Sequence, residues 1–326
     1  MQRNEILVLY GDNIRRMTSK ILEEAGLCDM IPDRDTRIGI KANLVGQVLP
    51  EDGATTHPEI VEELILYLQA HGFRNIVVLE SSWVGDCTKD ALDYCGYTQM
   101  LQKRGIPFWD MQEDKGVARD CAGMKLNLCR RALDIEYLIN VPVLKGHCQT
   151  RMTCALKNMK GLIPASEKRR FHRMGLHTPI AHLNAFLHQD FILVDSICGD
   201  LTFEDGGNPV PQNRMIAGRD PVLVDTYGCR LIGIDPMEVG YIPLSESLGA
   251  GSMDIRNARV SVCDLEGRRL CTDECLCGWT GQNFRFAGRL PEGNAAFRQS
   301  GRSGILQRLL RIPPSRAANA GRRGAA

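Results

Sequence analysis

No apolar run in the 326 residues approaches the length of a bilayer span, which excludes an α-helical membrane protein. The first apolar run, Ile6 to Tyr10, is also too short for a secretory leader, so the expected location is cytoplasmic. The Gly-rich stretch Asp205-Gly-Gly-Asn-Pro lacks the lysine and spacing of a phosphate-cradling P-loop, and the spaced glycines of a dinucleotide fingerprint are absent too. Nothing therefore points to ATP or NAD. From Arg285 onward there is no Lys and one Glu against nine Arg, while the whole chain carries only +1. The body is thus acidic, which argues against its binding nucleic acid, since phosphate contacts need a basic surface.

The most telling absence is local. Between Glu136 and Glu167 there is no acidic residue, although Lys145, Arg151, Lys157 and Lys160 all fall inside. A solvated helix face normally intersperses Glu with its Lys, because such pairs add a few tenths of a kcal/mol each. The unbalanced charge calls either for acids from elsewhere in the chain or for an anionic ligand.

With 44% hydrophobic and 24% charged residues, the chain is an ordinary globular protein, long enough for one large or two modest domains. Its thirteen cysteines are mostly single residues inside apolar patterns, where in a reducing compartment they act as small buried hydrophobes. Strand and helix patterns alternate. Glu5 to Tyr10 reads as a strand and Asn13 to Ala25 as a helix stopped by Gly26; Thr36 to Val45 and Asn75 to Ser82 read as strands, with a helix Glu59 to Ala70 between them and Pro58 in its first turn. A helix from about Thr88 to Arg104 and a short strand at Pro107 to Asp110 follow. Residues 111–135 show no clear period and leave room for a hairpin around Lys125.

The stretch from 138 to 164 organises the rest. Tyr137 to Leu144 reads as a buried strand and Lys145-Gly-His as a loop, and Thr150 is placed to cap a helix running to about Gly161. On that helix Met152, Ala155, Leu156, Met159, Leu162 and Ile163 share a core side; Thr150, Thr153, Lys157, Lys160 and Gly161 share the other. Lysines, hydroxyls and His147 near a helix start suit a carboxylate or phosphate. Lys145, Lys157 and Lys160 would hold the anion. His147 is the leading general acid or base, because an unperturbed imidazole titrates near neutrality.

The runs Asn140-Val-Pro-Val-Leu-Lys-Gly-His and Thr153-Cys-Ala-Leu-Lys-Asn-Met-Lys-Gly resemble the Domain of Unknown Function 362 family, and the resemblance extends over roughly residues 35 to 250. It implies a set of positions but no reaction. Lys41 and Asn43 match the family's Ile-Lys-Pro-Asn motif, with Ala42 where proline is usual; Gly53 to Pro58 also matches, and makes Thr56 and His57 either caps or ligand contacts. Thr153 and Asn158 fall inside the matching runs. Glu80 and Ser81 sit at a strand tip, where open α/β sheets bind ligands, or Glu80 pairs with a lysine. Asp195, at the end of the strand Phe191 to Asp195, belongs to the resemblance too. Asp220 and Pro221 open a further helix, on which Asp225 is either an ordinary charge or part of the site.

Five of the seven histidines lie between 147 and 188. His182 and His188 read as surface residues of, or just beyond, a helix begun by Thr178 and Pro179. His172 and His177 precede it on irregular backbone and are the better metal candidates, although no pair has helix-borne zinc spacing. Cys263, Cys271, Cys275 and Cys277 could hold an iron–sulfur cluster or zinc, and some relatives carry iron–sulfur motifs near the C-terminus. The spacing here matches neither a ferredoxin nor a zinc ribbon, so a cluster or divalent metal is not favoured.

The expected fold is α/β, with a largely parallel sheet flanked by helices, in one domain or two lobes over residues 1–283; residues 284–326 read as a basic, disordered tail. The expected function is an enzyme acting on a small anionic substrate. A metal or iron–sulfur redox protein and a non-catalytic anion binder are the alternatives, and the reaction and oligomeric state are not specified by the sequence.

Overall fold

The computed structural model describes residues 1–271. In chain order the elements are β1 (Glu5–Tyr10), α1 (Ile14–Ala25), α2 (Leu27–Met30), β2 (Ile38–Lys41), α3 (Pro58–Ala70), β3 (Ile76–Glu80), α4 (Thr88–Tyr94), α5 (Tyr97–Arg104) and β4 (Phe108–Asp110). Then come β5 (Gly116–Cys121), β6 (Met124–Cys129), β7 (Tyr137–Asn140), β8 (Lys145–His147), β9 (Arg151–Thr153), α6 (Ala155–Asn158), α7 (Ala165–Met174) and α8 (His177–Phe186). The last are β10 (Phe191–Asp200), β11 (Pro209–Gly218), α9 (Pro221–Leu231), α10 (Tyr241–Ser247), β12 (Arg259–Asp264) and β13 (Arg269–Cys271). Cys275, Cys277 and the tail from 284 lie outside the described residues. No helix among those described is long and apolar enough to cross a membrane.

Nine strands form one sheet in the order β13-β12-β1-β11-β10-β7-β2-β3-β4. Pairings from β10 through β4 are parallel, and β1 pairs with β12 in parallel; β11 runs antiparallel to both neighbours, and β13 to β12. The α/β class with a largely parallel sheet is therefore the architecture of the protein. Strands β2, β3 and β7 are buried at every position, as central parallel strands covered on both faces must be. On one face Ile38, Ile40, Val78 and Ile139 pack with Ile21 of α1, Leu64 of α3 and Leu101 of α5. Helices α6, α8, α9 and α10 pack on one another as a second group.

Local signals set several ends as the sequence predicts. The Asn13 side chain accepts from Arg16 N at 3.0 Å, and Gly26 ends α1 at a φ of 64°. Asp220 accepts from Val222 and Leu223 N and opens α9 before Pro221. The hairpin expected around Lys125 is the β5–β6 pair.

Other expectations are corrected. The single helix from Thr88 to Arg104 is two, because Gly96, at a φ of 77°, turns the chain between α4 and α5. His172 lies on α7 rather than on irregular backbone, and His177 starts α8, which has no side-chain cap. Asp195 stands in the middle of β10, not at its tip.

Candidate functional site

The largest correction is at the centre. Lys145-Gly-His is not a loop, and no helix starts at Thr150. The segment folds into a β8–β9 hairpin that pairs Lys145 with Thr153 and His147 with Arg151. The turn consumes the polar groups available for a cap. The His147 ring accepts from the backbone N–H of Gln149 and Thr150 at Nδ1 (3.0 and 3.3 Å), and the Thr150 hydroxyl donates to Met152 O. Arg151 takes a φ of 67°. The helix begins only at Ala155, and its cap is Asp225 on α9, whose carboxylate accepts from Ala155 N (2.7 Å) and Leu156 N (3.2 Å). Asp225 is fully buried, and burial pushes its carboxyl up to about 7. It holds the helix and does not line the cavity. The residues assigned to the core side, Met152, Ala155, Leu156, Met159, Leu162 and Ile163, are all buried.

A cavity of about 250 Å³ opens beyond the carboxyl ends of β2 and β3. Its floor is a closed polar network. The Lys41 ammonium donates to Glu80 Oε2 (2.6 Å), Ala42 O (2.6 Å) and Asn158 Oδ1 (3.3 Å). Asn158 donates in turn to Asn140 Oδ1 and Ala42 O. Lys41 is wholly buried beneath Glu80, so it is a structural cation rather than a ligand contact. Gly161 packs so closely on Glu80 and Lys41 that a Cβ there would overlap both.

The roof is assembled from four lysines on four elements: Lys145 on β8, Lys157 on α6, Lys160 on the 3-10 turn Met159–Leu162, and Lys168 on α7. Among the described residues none of the four has a carboxylate within ion-pair distance. Lys145 Nζ donates to Ala54 O (2.6 Å) and Glu204 O (2.8 Å); Lys168 Nζ donates to Ser81 O (2.7 Å), Ser82 O (2.6 Å) and the Ser81 hydroxyl. Lys157 Nζ has only Thr153 Oγ1, at 3.2 Å, and Lys160 Nζ faces His172 Nε2 at 3.4 Å. Burial pulls all four ammonium groups down, Lys145 to about 8 and Lys157, Lys160 and Lys168 to about 7. Mutual repulsion adds to this at the last three, from Lys145 on Lys157, Lys157 on Lys160 and Lys160 on Lys168.

Of the residues singled out by sequence, Lys145, His147, Thr153, Lys157, Asn158 and Lys160 line this cavity, together with Asn43, Glu80 and Ser81. His172 reaches its rim. Thr56, His57 and Asp195 form a separate buried cluster: Asp195 Oδ2 accepts from both N and Nδ1 of His57 at 2.8 Å, and the Thr56 hydroxyl donates to Val141 O. That cluster ties α3 to β10, and neither Thr56 nor His57 caps α3 with its side chain. Sequence reasoning missed Lys168, Cys148 and Glu204. Lys168 stands one residue past the end of the acid-free span, and Glu204 one residue before the Gly-rich loop. The proximity of each to a noted feature was the only signal.

His147 does not titrate near neutrality as expected. Burial, followed by Lys157, Lys160 and Lys145, pulls it down to about 2. The neutral ring offers Nδ1 to two backbone N–H groups, so its proton is on Nε2, which faces Glu204 Oε1 at 3.6 Å. In this geometry Nε2–H is a donor, the arrangement of an acid rather than a base.

The same geometry bears on metal binding. Nε2 of His147, Sγ of Cys148 and the Glu204 carboxylate lie within 4.8 Å of one another. A ligating histidine donates its other ring N–H to a second shell, whereas His147 accepts there. Burial and Glu204 raise the Cys148 thiol to about 11. The ring of His147, with Nδ1 accepting from two backbone N–H groups, is not set up to ligate through Nε2. His172 and His177 do not converge either: His177 Nδ1 accepts from Tyr241 N and its ring stacks on Tyr241. Cys263 lies on β12, toward the other edge of the sheet from β2 and β3.

Fold and site together define an α/β protein with a lysine-roofed pocket over the ends of its parallel strands. The model of the family "Domain of unknown function (DUF362)" matches residues 38–230, which carry the whole site, and the chain belongs to that family. The thylakoid-associated protein sll1697 of Synechocystis sp. is 24% identical over 224 residues, covering 65% of this chain and 68% of that protein. Among solved structures, the lactate racemase apoprotein from Thermoanaerobacterium thermosaccharolyticum aligns with a TM-score of 0.46 and 14% identity, over 72% of this chain and 57% of that one. A structural-genomics protein from Thermotoga maritima aligns at 0.43 and 12%, over 73% and 60%. The chain spans less than two thirds of either solved protein.

Proposed function

We propose that the pocket binds a small carboxylate or phosphate and that the protein is an enzyme acting on it, in the cytoplasm, through a single α/β domain that ends near residue 283. The observation that carries this is the roof: four lysines converge on one cavity and, among the described residues, no carboxylate is paired with any of them. Cations crowded around a low-dielectric cavity repel one another until an anion enters, and an anion of one or two charges restores balance. Lysines driven toward neutrality in a cleft are also a common mark of chemistry, which favours an enzyme over a passive binder.

The test is to titrate phosphate, sulfate and succinate while following thermal unfolding, against sodium chloride at matched ionic strength. A bound anion is expected to stabilise the fold by about 2.7 kcal/mol at a hundred times its dissociation constant. Lys157→Ala is expected to remove most of that gain. If no anion shifts the wild type beyond the salt control, the lysines are a solvated face and the reading fails.

A further inference from the structure

The four roof lysines are not equivalent. Lys145 and Lys168 are held by two and three protein oxygens. Those contacts use the N–H groups of an ammonium and fix each head in place, so both suit the role of stationary cation. Lys160 lies beside the imidazole of His172 at the exposed rim. Lys157 differs from all three. It stands on α6 and lines the cavity, and among the described residues its head makes a single hydrogen bond, to Thr153, leaving a lone pair free once a proton is lost. It also lies between other cations: Lys145 acts on it and it acts on Lys160. A lysine desolvated beside another cation is how a protein produces a neutral amine nucleophile near physiological pH.

We propose that Lys157 forms an iminium with the carbonyl carbon of a small anionic carbonyl compound of the 2-oxo acid class, whose carboxylate is held by the neighbouring lysines. This rests on the anion-binding reading and names the substrate class for it. In the step, the Nζ lone pair forms the C–N bond while the carbonyl π pair moves to oxygen. That oxygen takes one proton from Nζ and a second from an adjacent lysine ammonium. The C–O bond then breaks, water departs, and the protonated iminium remains; nothing is oxidised or reduced. His147, fixed as an Nε2–H donor with Nε2 3.6 Å from Glu204 Oε1, can direct its N–H toward the substrate.

The experiment is reductive trapping of the intact protein at pH 7 with pyruvate and sodium cyanoborohydride, read by intact mass and peptide mapping. The expected result is one reduced adduct on Lys157. It should form roughly tenfold faster or more than any adduct at the exposed Lys89, because Lys157, pulled down to about 7, holds much of its head as free amine at pH 7. Excess phosphate should slow it. Lys157→Arg, which keeps the charge and loses the nucleophile, should give no adduct. Adducts spread evenly over surface lysines, or trapping that persists at another residue in Lys157→Arg, would overturn the inference. Phosphate stabilisation without trapping in the wild type would also overturn it and leave the anion site standing. Neither stabilisation nor trapping would remove both.

Discussion

Lys41 and Lys157 sit in the same site, on its floor and its roof, and the protein treats them in opposite ways. Both are pulled down by burial. At Lys41, however, Glu80 stands 2.6 Å away and works against that pull, and Ala42 O and Asn158 complete the coordination of the head. At Lys157 the largest effect after burial is the repulsion of Lys145, and among the described residues its one hydrogen bond is to a hydroxyl. A buried cation neutralised inside the chain is scaffold. One left without a direct ion-pair partner beside three others is what the proposed anion would balance. Sequence alone ranks these two lysines alike, since both lie in family motifs; the pairing distinguishes them.

That contrast can be broken at the floor first, where the effect is greatest. Glu80→Ala strands the Lys41 charge and removes the acceptor of the Leu44 and Ser81 N–H groups, and is expected to cost about 3 kcal/mol in chemical denaturation. Adding Lys41→Met should recover part of this, because the stranded cation is gone. A loss under about 0.5 kcal/mol would mean that the pair is not structural.

A smaller effect comes from pH. In the folded state Lys157, Lys160 and Lys168 titrate at about 7, well below the ordinary lysine value. Between pH 7 and about 10 the unfolded chain therefore binds more protons, and stability rises with pH. Lys145, at about 8, acts in the same sense, while His57, raised by Asp195 in spite of burial, and Asp225, pushed up by burial to about 7, oppose it near pH 7 and no longer do so well above it. Unfolding midpoints at low salt should increase from pH 7 to 9, by on the order of 1 kcal/mol per pH unit. Saturating phosphate should flatten the slope by holding the lysines protonated. Lys157→Met should reduce the slope while changing stability at pH 7 by less than about 1 kcal/mol, toward the stable side. A flat profile without phosphate would show that the roof carries no electrostatic strain.

The layered α/β order was legible because strands and helices announce themselves through local periods, and Asn13, Gly26, Asp220 and Pro221 mark ends through local chemistry. The core side of the central segment was legible for the same reason. Its secondary structure was not. A helical spacing of apolar residues from Met152 onward is equally met by a strand followed by a short helix, and the residue that decides between them, Asp225, lies 70 positions away. Lys168 and Glu204 were missed because their relation to the pocket is made by α7 and by the loop after β10, not by any neighbour in sequence. The proton affinity of His147 was misjudged for a related reason: three lysines and a tight turn set it, and only folding brings them together.

The Asp225 cap also has a consequence in time. A ribosome releases the four roof lysines well before it releases the residue that starts the α6 helix, and in the interval two backbone N–H groups of a four-residue helix have no acceptor. A segment so short does not persist alone in water. Strands β2, β3 and β7 and the Lys41–Glu80 pair precede α9 in the chain, and the α6 amides gain their acceptor only when α9 docks. Pulsed hydrogen exchange during refolding would show it, with the Ala155 and Leu156 amides gaining protection together with α9 and after β2 and β3. Mutually repelling lysines are thus kept apart until the rest of the domain can hold them.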